Sequence, residues 1–172
     1  MAVAVATRQF CSLIGKKAFA EEAFLAGLIH DLGLLVERQA FPDQLADTLR
    51  LAAKGDRPFC DVETEVTGTD HQALGAALAN KWKFPRGLQT VIGYHHKIDT
   101  LSEEHRLLPT VVYAADVLCC HERHGLYLTA QGQPLDDILL ESIGLTETDF
   151  NAVREALPEM VADAEALFAS PG

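Results

Sequence analysis

Apolar side chains recur at helical spacing along nearly the whole sequence, and runs that alternate polar and apolar residues are almost absent. A helix repeats every 3.6 residues and a strand every two, so the same segment cannot follow both patterns. The pattern therefore predicts an all-α fold. With 172 residues, 48% of them hydrophobic, the chain is long enough to form one compact helical domain around a single core.

Capping and helix-breaking residues predict where the helices begin and end. The first is expected from about Ala2 to Ile14, and the second from about Ala20 with a joint at Gly33. A third helix is expected from Pro42 to about Lys54, a fourth begins after the N-cap Asp70, and a fifth follows Pro85 and ends near residues 94–96. A longer helix is expected from about Leu107 to His124, and the last runs from Thr146 until Pro158 ends or bends it. Because the first helix starts at Met1 without a cap, we expect the chain to be a fragment or a late start of a longer protein.

Charge and hydropathy argue against two classes of partner. The chain has 14 Lys and Arg against 25 Asp and Glu, a formal net charge of -11, which would repel a nucleic-acid backbone. No apolar stretch approaches the roughly 20 residues of a membrane span, and no signal peptide follows Met1. We therefore expect a cytoplasmic protein that binds neither nucleic acid nor membrane.

Two acidic residues stand inside apolar segments, where a carboxylate needs a partner. His30 and Asp31 are adjacent in AFLAGLIHDLGLLVE, and Asp116 lies within VVYAADVLCC. A buried carboxylate is costly unless it is ion-paired, hydrogen-bonded or bound to a cation. His71 and the doublet His95 and His96 lie between them in the sequence.

These residue types leave two interpretations open. Imidazole and carboxylate ligands together suit Mn, Fe, Ni or Zn, so the set could hold a divalent metal. Buried His and Asp side chains also hydrogen-bond one another or the backbone without any metal. Spacing alone does not decide between the two.

Three longer strings resemble one family. EEAFLAGLIHDLGLLVE, ETEVTGTDHQALGAALANKWKFPRGLQTVIGYHH and VVYAADVL follow one another as in the HDOD branch of the HD-domain superfamily. The match includes the E-x-x-x-x-G-x-D-H element at Glu63 to His71, the Trp and Pro of KWKFP, and the double histidine. The resemblance implies an HD-like helical bundle over residues 1–125, with residues 126–172 as a helical extension packed on the same domain.

The resemblance also implies a set of metal ligands. Members of the wider superfamily are metal-dependent phosphohydrolases, whose metal is held by a first histidine, the HD pair and a later aspartate. In this sequence His30, Asp31 and Asp116 match the pair and the later aspartate. In the HD-GYP branch, which hydrolyses cyclic di-GMP, the extra ligands resemble His71, His95 and His96. The expected metal site is thus His30, Asp31, His71, His95, His96 and Asp116.

Three departures from the catalytic pattern concern charge stabilisation. No histidine precedes His30, Leu34 replaces the lysine of the HDxGK motif, and no GYP motif follows His96. The loss of a phosphate-facing cation and a substrate loop should weaken transition-state stabilisation severely. We assign no catalytic residue from the sequence.

HDOD domains resemble output or adaptor modules of bacterial signalling proteins. The resemblance therefore favours a regulatory domain that binds a signalling protein or a small ligand, with a divalent metal (Fe, Mn, Ni or Zn) or with none. A metal-dependent phosphohydrolase acting on a nucleotide or cyclic dinucleotide is the alternative, and a homodimer is a further possibility.

The KWKFPR segment allows two interpretations. Trp82 and Phe84 fall at helical spacing from Leu74 and Leu78, which favours packing in the core. Lys81, Lys83 and Arg86 are expected to form a solvated surface rather than an anion-binding edge.

Overall fold

The structure is a computed structural model that describes residues 1–169. Its α-helices are α1 (Ala2–Leu13), α2 (Ala20–Ile29), α3 (Leu32–Ala40), α4 (Pro42–Ala52), α5 (Phe59–Thr67), α6 (His71–Lys81), α7 (Arg86–Tyr94), α8 (Glu103–His121), α9 (Asp137–Ser142) and α10 (Glu147–Ala169). Single 3-10 turns precede α2 and α8, at Lys17–Phe19 and Ile98–Thr100. Residues 1–169 contain no strand, so the all-α prediction is confirmed.

Helix α8 lies at the centre of the bundle, and every residue from Pro109 to Cys120 is buried. One side packs with α1 and α10 into the largest apolar core, where Phe10, Leu118 and Leu157 are fully buried. The ring of Phe10 stacks on Phe150 with centroids 5.9 Å apart. Residues after 126 thus contribute to the same core as α1.

Glycine allows α3 and α6 to approach closely at one point. A Cβ atom on Gly33 would lie 1.8 Å from the backbone oxygen of His71, and one on Gly75 would lie 3.1 Å from the backbone nitrogen of Gly33. Real Cβ atoms do not approach other atoms so closely, so both positions require glycine. This contact sets the distance between the HD pair and His71.

Several predicted boundaries are wrong. The joint after α2 lies at His30 and Asp31, and Gly33 belongs to α3. Helix α8 begins at Glu103 rather than near Leu107, and α10 continues through Pro158. Proline removes one backbone hydrogen bond, but buried residues follow Pro109 directly and flank Pro158 at Leu157 and Ala164. Their packing outweighs the local cost, which sequence periodicity does not measure.

Two helices, α5 and α9, were not predicted. The N-cap of α5 is Pro58, which has no capping side chain, and α9 is only 6 residues long. The capping signals that do occur, Gly68 after α5 and Asp136 before α9, flank segments too short for helical periodicity to be evident. Among the described residues, no helix is both long and apolar enough to cross a bilayer.

Candidate metal centre

The structure brings the six predicted site residues together from four places in the bundle. His30 and Asp31 form the turn between α2 and α3, and His71 is the first residue of α6. His95 and His96 directly follow α7, and Asp116 lies on α8. Adjacent helical residues point about 100° apart. Because α7 ends at Tyr94, both histidines of the doublet can face the same cluster.

Asp31 lies at the centre of this cluster. Its Oδ1 atom is 3.5 Å from Nε2 of His71 and 3.4 Å from Nε2 of His95. Its Oδ2 atom is 3.3 Å from Nε2 of His30. The carboxylate therefore presents one oxygen to each of two groups of imidazoles.

Asp116 completes the second group. Its Oδ1 atom lies 3.6 Å from Nε2 of His30, and its Oδ2 atom lies 3.9 Å from Nε2 of His96. Because both carboxylates lie close to the same His30 nitrogen, they fall within reach of shared cations.

All four imidazoles are held through Nδ1, which leaves Nε2 facing the cluster. The Nδ1 partners are Gly27 O at 2.8 Å for His30, Glu63 Oε2 at 2.7 Å for His71, Val91 O at 3.0 Å for His95, and the Gln133 side-chain amide at about 3 Å for His96. Hydrogen bonding of the second ring nitrogen fixes tautomer and orientation, as is usual for metal-binding histidines.

Sequence reasoning gave no role to Glu63 or Gln133. Glu63 belongs to the E-x-x-x-x-G-x-D-H element, so the motif itself pointed to it, and it is fully buried against His71. Gln133 lies in a loop 37 residues after His96. No periodicity or motif in the sequence indicated that contact.

Two polar contacts bring the beginning of α6 next to the end of α7. Asp70 caps α6 by accepting a hydrogen bond from Ala73 N at 2.8 Å, and it accepts another from Lys97 Nζ at 2.6 Å. The backbone N–H of His96 donates to Gln72 Oε1 at 2.9 Å. These bonds place His71 beside the histidine doublet.

Four buried polar atoms of the cluster have no hydrogen-bond partner among residues 1–169. They are His30 Nε2, Asp31 Oδ1, His96 Nε2 and Asp116 Oδ2. A buried polar atom without a partner costs about 1–3 kcal/mol, and more if it is charged. A divalent cation would coordinate such nitrogen and oxygen atoms together. Donor atoms of Asp31, His71, His95 and His96 all lie within 4.8 Å of one another, so the residues present fit a metal.

The pKa shifts follow from burial opposed by charge. Burial lowers the pKa of His95 and of His96, with the neighbouring histidines adding to the effect at His96. For His30, burial is outweighed by Asp31 and Asp116, and its pKa is raised well above the usual value. The lowered pKa values favour neutral imidazoles at His95 and His96 near pH 7, whereas a cation at His30 would have to displace a proton.

Leu34, at the position of the motif lysine, lies among apolar side chains. Leu34 packs in a separate apolar group with Phe59 and Val62. Helix α1 contains no histidine, so it contributes no imidazole to the centre. At the motif positions within residues 1–169, nothing therefore replaces the missing first histidine, the missing lysine or the missing GYP motif.

A second buried carboxyl group lies behind His71. Glu37 is fully buried, and neither of its oxygens has a hydrogen-bond donor. Burial, followed by the charge of Glu63, raises the pKa of Glu37 to about 8. A protonated Glu37 can donate to Glu63, which in turn holds His71.

Comparisons with known proteins agree with this geometry. The chain is similar over its whole fold to a crystal structure of an HDOD domain protein of unknown function from Geobacter sulfurreducens, with a TM-score of 0.77, 21% identity, and coverage of 98% of this chain and 61% of that one. It is also similar to a structure described as a candidate phosphohydrolase from Shewanella amazonensis SB2B, with a TM-score of 0.62, 22% identity, and coverage of 92% and 56%. At these identities the likeness shows the fold.

Sequence relatives give the family. An uncharacterized protein of Treponema pallidum (strain Nichols) is 31% identical over 101 residues, which is 58% of this chain but only 20% of that protein. The chain thus spans a fifth of that relative and about three fifths of the solved structures. That the domain extends to residue 125 stays a prediction. The HDOD domain model matches residues 1–98, more than half of the chain, and the chain belongs to the HDOD domain family.

Proposed function

We propose that this HDOD domain is a cytoplasmic regulatory module of a bacterial signalling protein that holds one or two divalent cations at His30, Asp31, His71, His95, His96 and Asp116. The observation that carries the metal centre is the group of four buried polar atoms without partners, surrounded by imidazoles already held through Nδ1. Within residues 1–169 these atoms lie 3.3–3.9 Å from imidazole or carboxylate groups of the cluster but make no hydrogen bond. A cation among Fe, Mn, Ni and Zn would pair them.

The chain's own residues favour binding and regulation over turnover. A bound divalent cation would supply Lewis-acid chemistry and could activate water. The cation that would face phosphate in catalytic relatives is replaced by Leu34, which lies in an apolar group. We infer that the domain acts by binding a signalling protein or a small ligand, as a monomer or a homodimer.

A metal-dependent phosphohydrolase acting on a nucleotide or cyclic dinucleotide is the second candidate. The retained histidines and aspartates favour it, as does the fold shared with the Shewanella protein. Removal of one charge-stabilising group typically costs about a hundredfold or more in rate. With several such groups missing, we expect no detectable turnover.

Two measurements test the proposal together. Metal analysis of the purified protein should find a divalent cation in the native chain and none in Asp31→Ala. Chromatography of cyclic di-GMP incubated with the Mn- or Fe-reconstituted protein should show no product. Turnover by the native chain that disappears in Asp31→Ala would replace the regulatory assignment with the phosphohydrolase.

A further inference from the structure

The turn between α6 and α7 exposes the one tryptophan of the chain. Trp82 follows the last residue of α6 and is 58% exposed, so the prediction that it packs in the core is wrong. Trp82 N donates to Leu78 O at 2.9 Å, so Trp82 keeps helical spacing from Leu78, but it lies at the end of α6, where its ring stays exposed. Its ring lies 6.0 Å from that of the half-buried Phe84.

The backbone holds this turn in a defined shape. Phe84 N donates to Ala79 O at 3.0 Å and Lys83 N donates to Asn80 O at 3.1 Å, the pattern of a Schellman C-cap. Lys83 has φ 56, in the left-handed region that glycine usually occupies at this position. The sequence thus keeps a cation beside Trp82 where the backbone favours glycine.

Three cations surround the aromatic pair, and none has an ion-pair partner among the residues the structure describes: Lys81, Lys83 and Arg86. Arg86 is the first residue of α7, where the helix dipole favours a carboxylate instead. Helix stability therefore gives no reason for a cation at that position.

The chain segment around the turn also lacks acidic residues, although Glu22 and Glu104 from other helices line a neighbouring pocket together with Arg86. No Asp or Glu occurs between Asp70 and Asp99, although the chain has 25 of them. A groove of about 480 Å³ begins at Asn80 and Arg86, which bracket the turn, and continues between α6 and α7 to Tyr94. Its other lining residues are Ala76, Gln89, Thr90 and His105, so carboxylates are absent there too.

We propose that this α6–α7 face, formed by Trp82, the three cations and the adjoining groove, binds an acidic segment of a partner protein that carries apolar side chains among its carboxylates. Carboxylates of the partner pair with Lys81, Lys83 and Arg86, and an apolar side chain covers Trp82. Tryptophan and arginine are among the residues that most often anchor protein interfaces, and the two lysines add charge complementarity. The inference goes beyond the proposed function and needs no metal.

Charge favours a short acidic segment over the other polyanions. A nucleic acid or an anionic bilayer extends well past the turn and would meet the rest of a chain with a net charge of -11. A second copy would add the same net charge. A short segment contacts the basic face alone.

Fluorescence of Trp82 reports the local charge of this face, because the chain has a single tryptophan. Iodide, an anion, should quench Trp82 fluorescence more strongly than caesium, a cation, because the local surface is basic although the whole chain is acidic. The variant Lys81→Glu/Lys83→Glu/Arg86→Glu should invert that order. The control variant Lys16→Glu/Lys17→Glu/Lys54→Glu changes the net charge equally at other exposed positions and should leave the order unchanged.

Binding is tested with a labelled peptide of about 15 residues, in which Leu recurs at helical spacing and Glu fills the other positions. We expect saturable binding by fluorescence anisotropy, a blue shift of Trp82 emission, and an affinity at least about tenfold weaker in the face variant than in the control variant. Equal affinity in both variants would overturn the proposal. So would equal binding of a peptide with Lys in place of Glu, or tighter binding to anionic vesicles or single-stranded DNA. Because Asp31→Ala should bind the peptide as the native chain does, failure here is distinguishable from failure of the metal centre.

Discussion

Helix α8 contributes to two buried regions that stabilise their side chains in different ways. Towards α1 and α10 it presents Val111, Ala115 and Leu118 to an apolar core that is complete without any ligand. Towards the HD pair it presents Asp116, whose Oδ2 atom is buried without a hydrogen-bond partner. The apolar core needs only the chain itself, whereas in our proposal a divalent cation completes the histidine–aspartate cluster.

The close approach of α3 and α6 holds the HD pair against His71 on the cluster side, and breaking it should have the largest effect. In Gly33→Ala the new Cβ would overlap the His71 backbone oxygen, so the helices must separate or the chain must unfold. We expect a loss of about 4 kcal/mol or more in the free energy of unfolding, at the upper end for overpacked positions. Chemical denaturation measures it. Stability within about 0.5 kcal/mol of native would show that the helices are not packed so closely.

Truncation in the apolar core should be costly but independent of metal. Leu118 is fully buried, and Leu118→Ala should lower the free energy of unfolding by about 3–4 kcal/mol. The loss should be the same with excess Mn and with a chelator. A loss that changes with metal would mean that the core and the cluster are coupled rather than separate.

The stability that the histidine–aspartate cluster confers should, in contrast, depend on metal. At a free metal concentration of about 100 times the dissociation constant, binding stabilises the native chain by about 2.7 kcal/mol, and Asp31→Ala should lose that increment. Thermal melts with and without metal measure it. If Asp31→Asn melts like the native chain under both conditions, the cluster is a hydrogen-bonded structure without a cation.

Behind the cluster, Glu37 makes stability depend on pH. Its pKa in the folded chain, about 8, exceeds the ordinary value of 4.5, so the stability that Glu37 contributes is fully present below pH 4.5 and is lost as the pH rises through 8. Glu37→Gln keeps a donor to Glu63 but cannot ionise. We expect it to gain about 4 kcal/mol relative to the native chain between pH 5 and pH 8.5. If the stability difference between Glu37→Gln and the native chain is the same at both pH values, Glu37 is ionised in the folded protein at both.

Helical periodicity was sufficient for the fold class, because α1 and α8 have regularly spaced apolar side chains. The resemblance supplied the six cluster residues, and apolar neighbours independently predicted that Asp31 and Asp116 are buried, which holds for Asp116, whereas the Asp31 side chain is 23% exposed. Contacts distant in sequence could not be predicted in this way. Gln133 reaches His96 across 37 residues, and the turn that exposes Trp82 depends on where α6 ends rather than on its spacing from Leu78.

The most direct test of the account is the metal content of the native chain, measured by elemental analysis after purification without added metal and after equilibration with Mn or Fe. We expect about one equivalent or more of a divalent cation per chain, with none retained by Asp31→Ala or Asp116→Ala and an unchanged content in Leu118→Ala that still folds. A native chain that retains no metal under any of these conditions, with Asp31→Asn as stable as the native protein, would contradict the account.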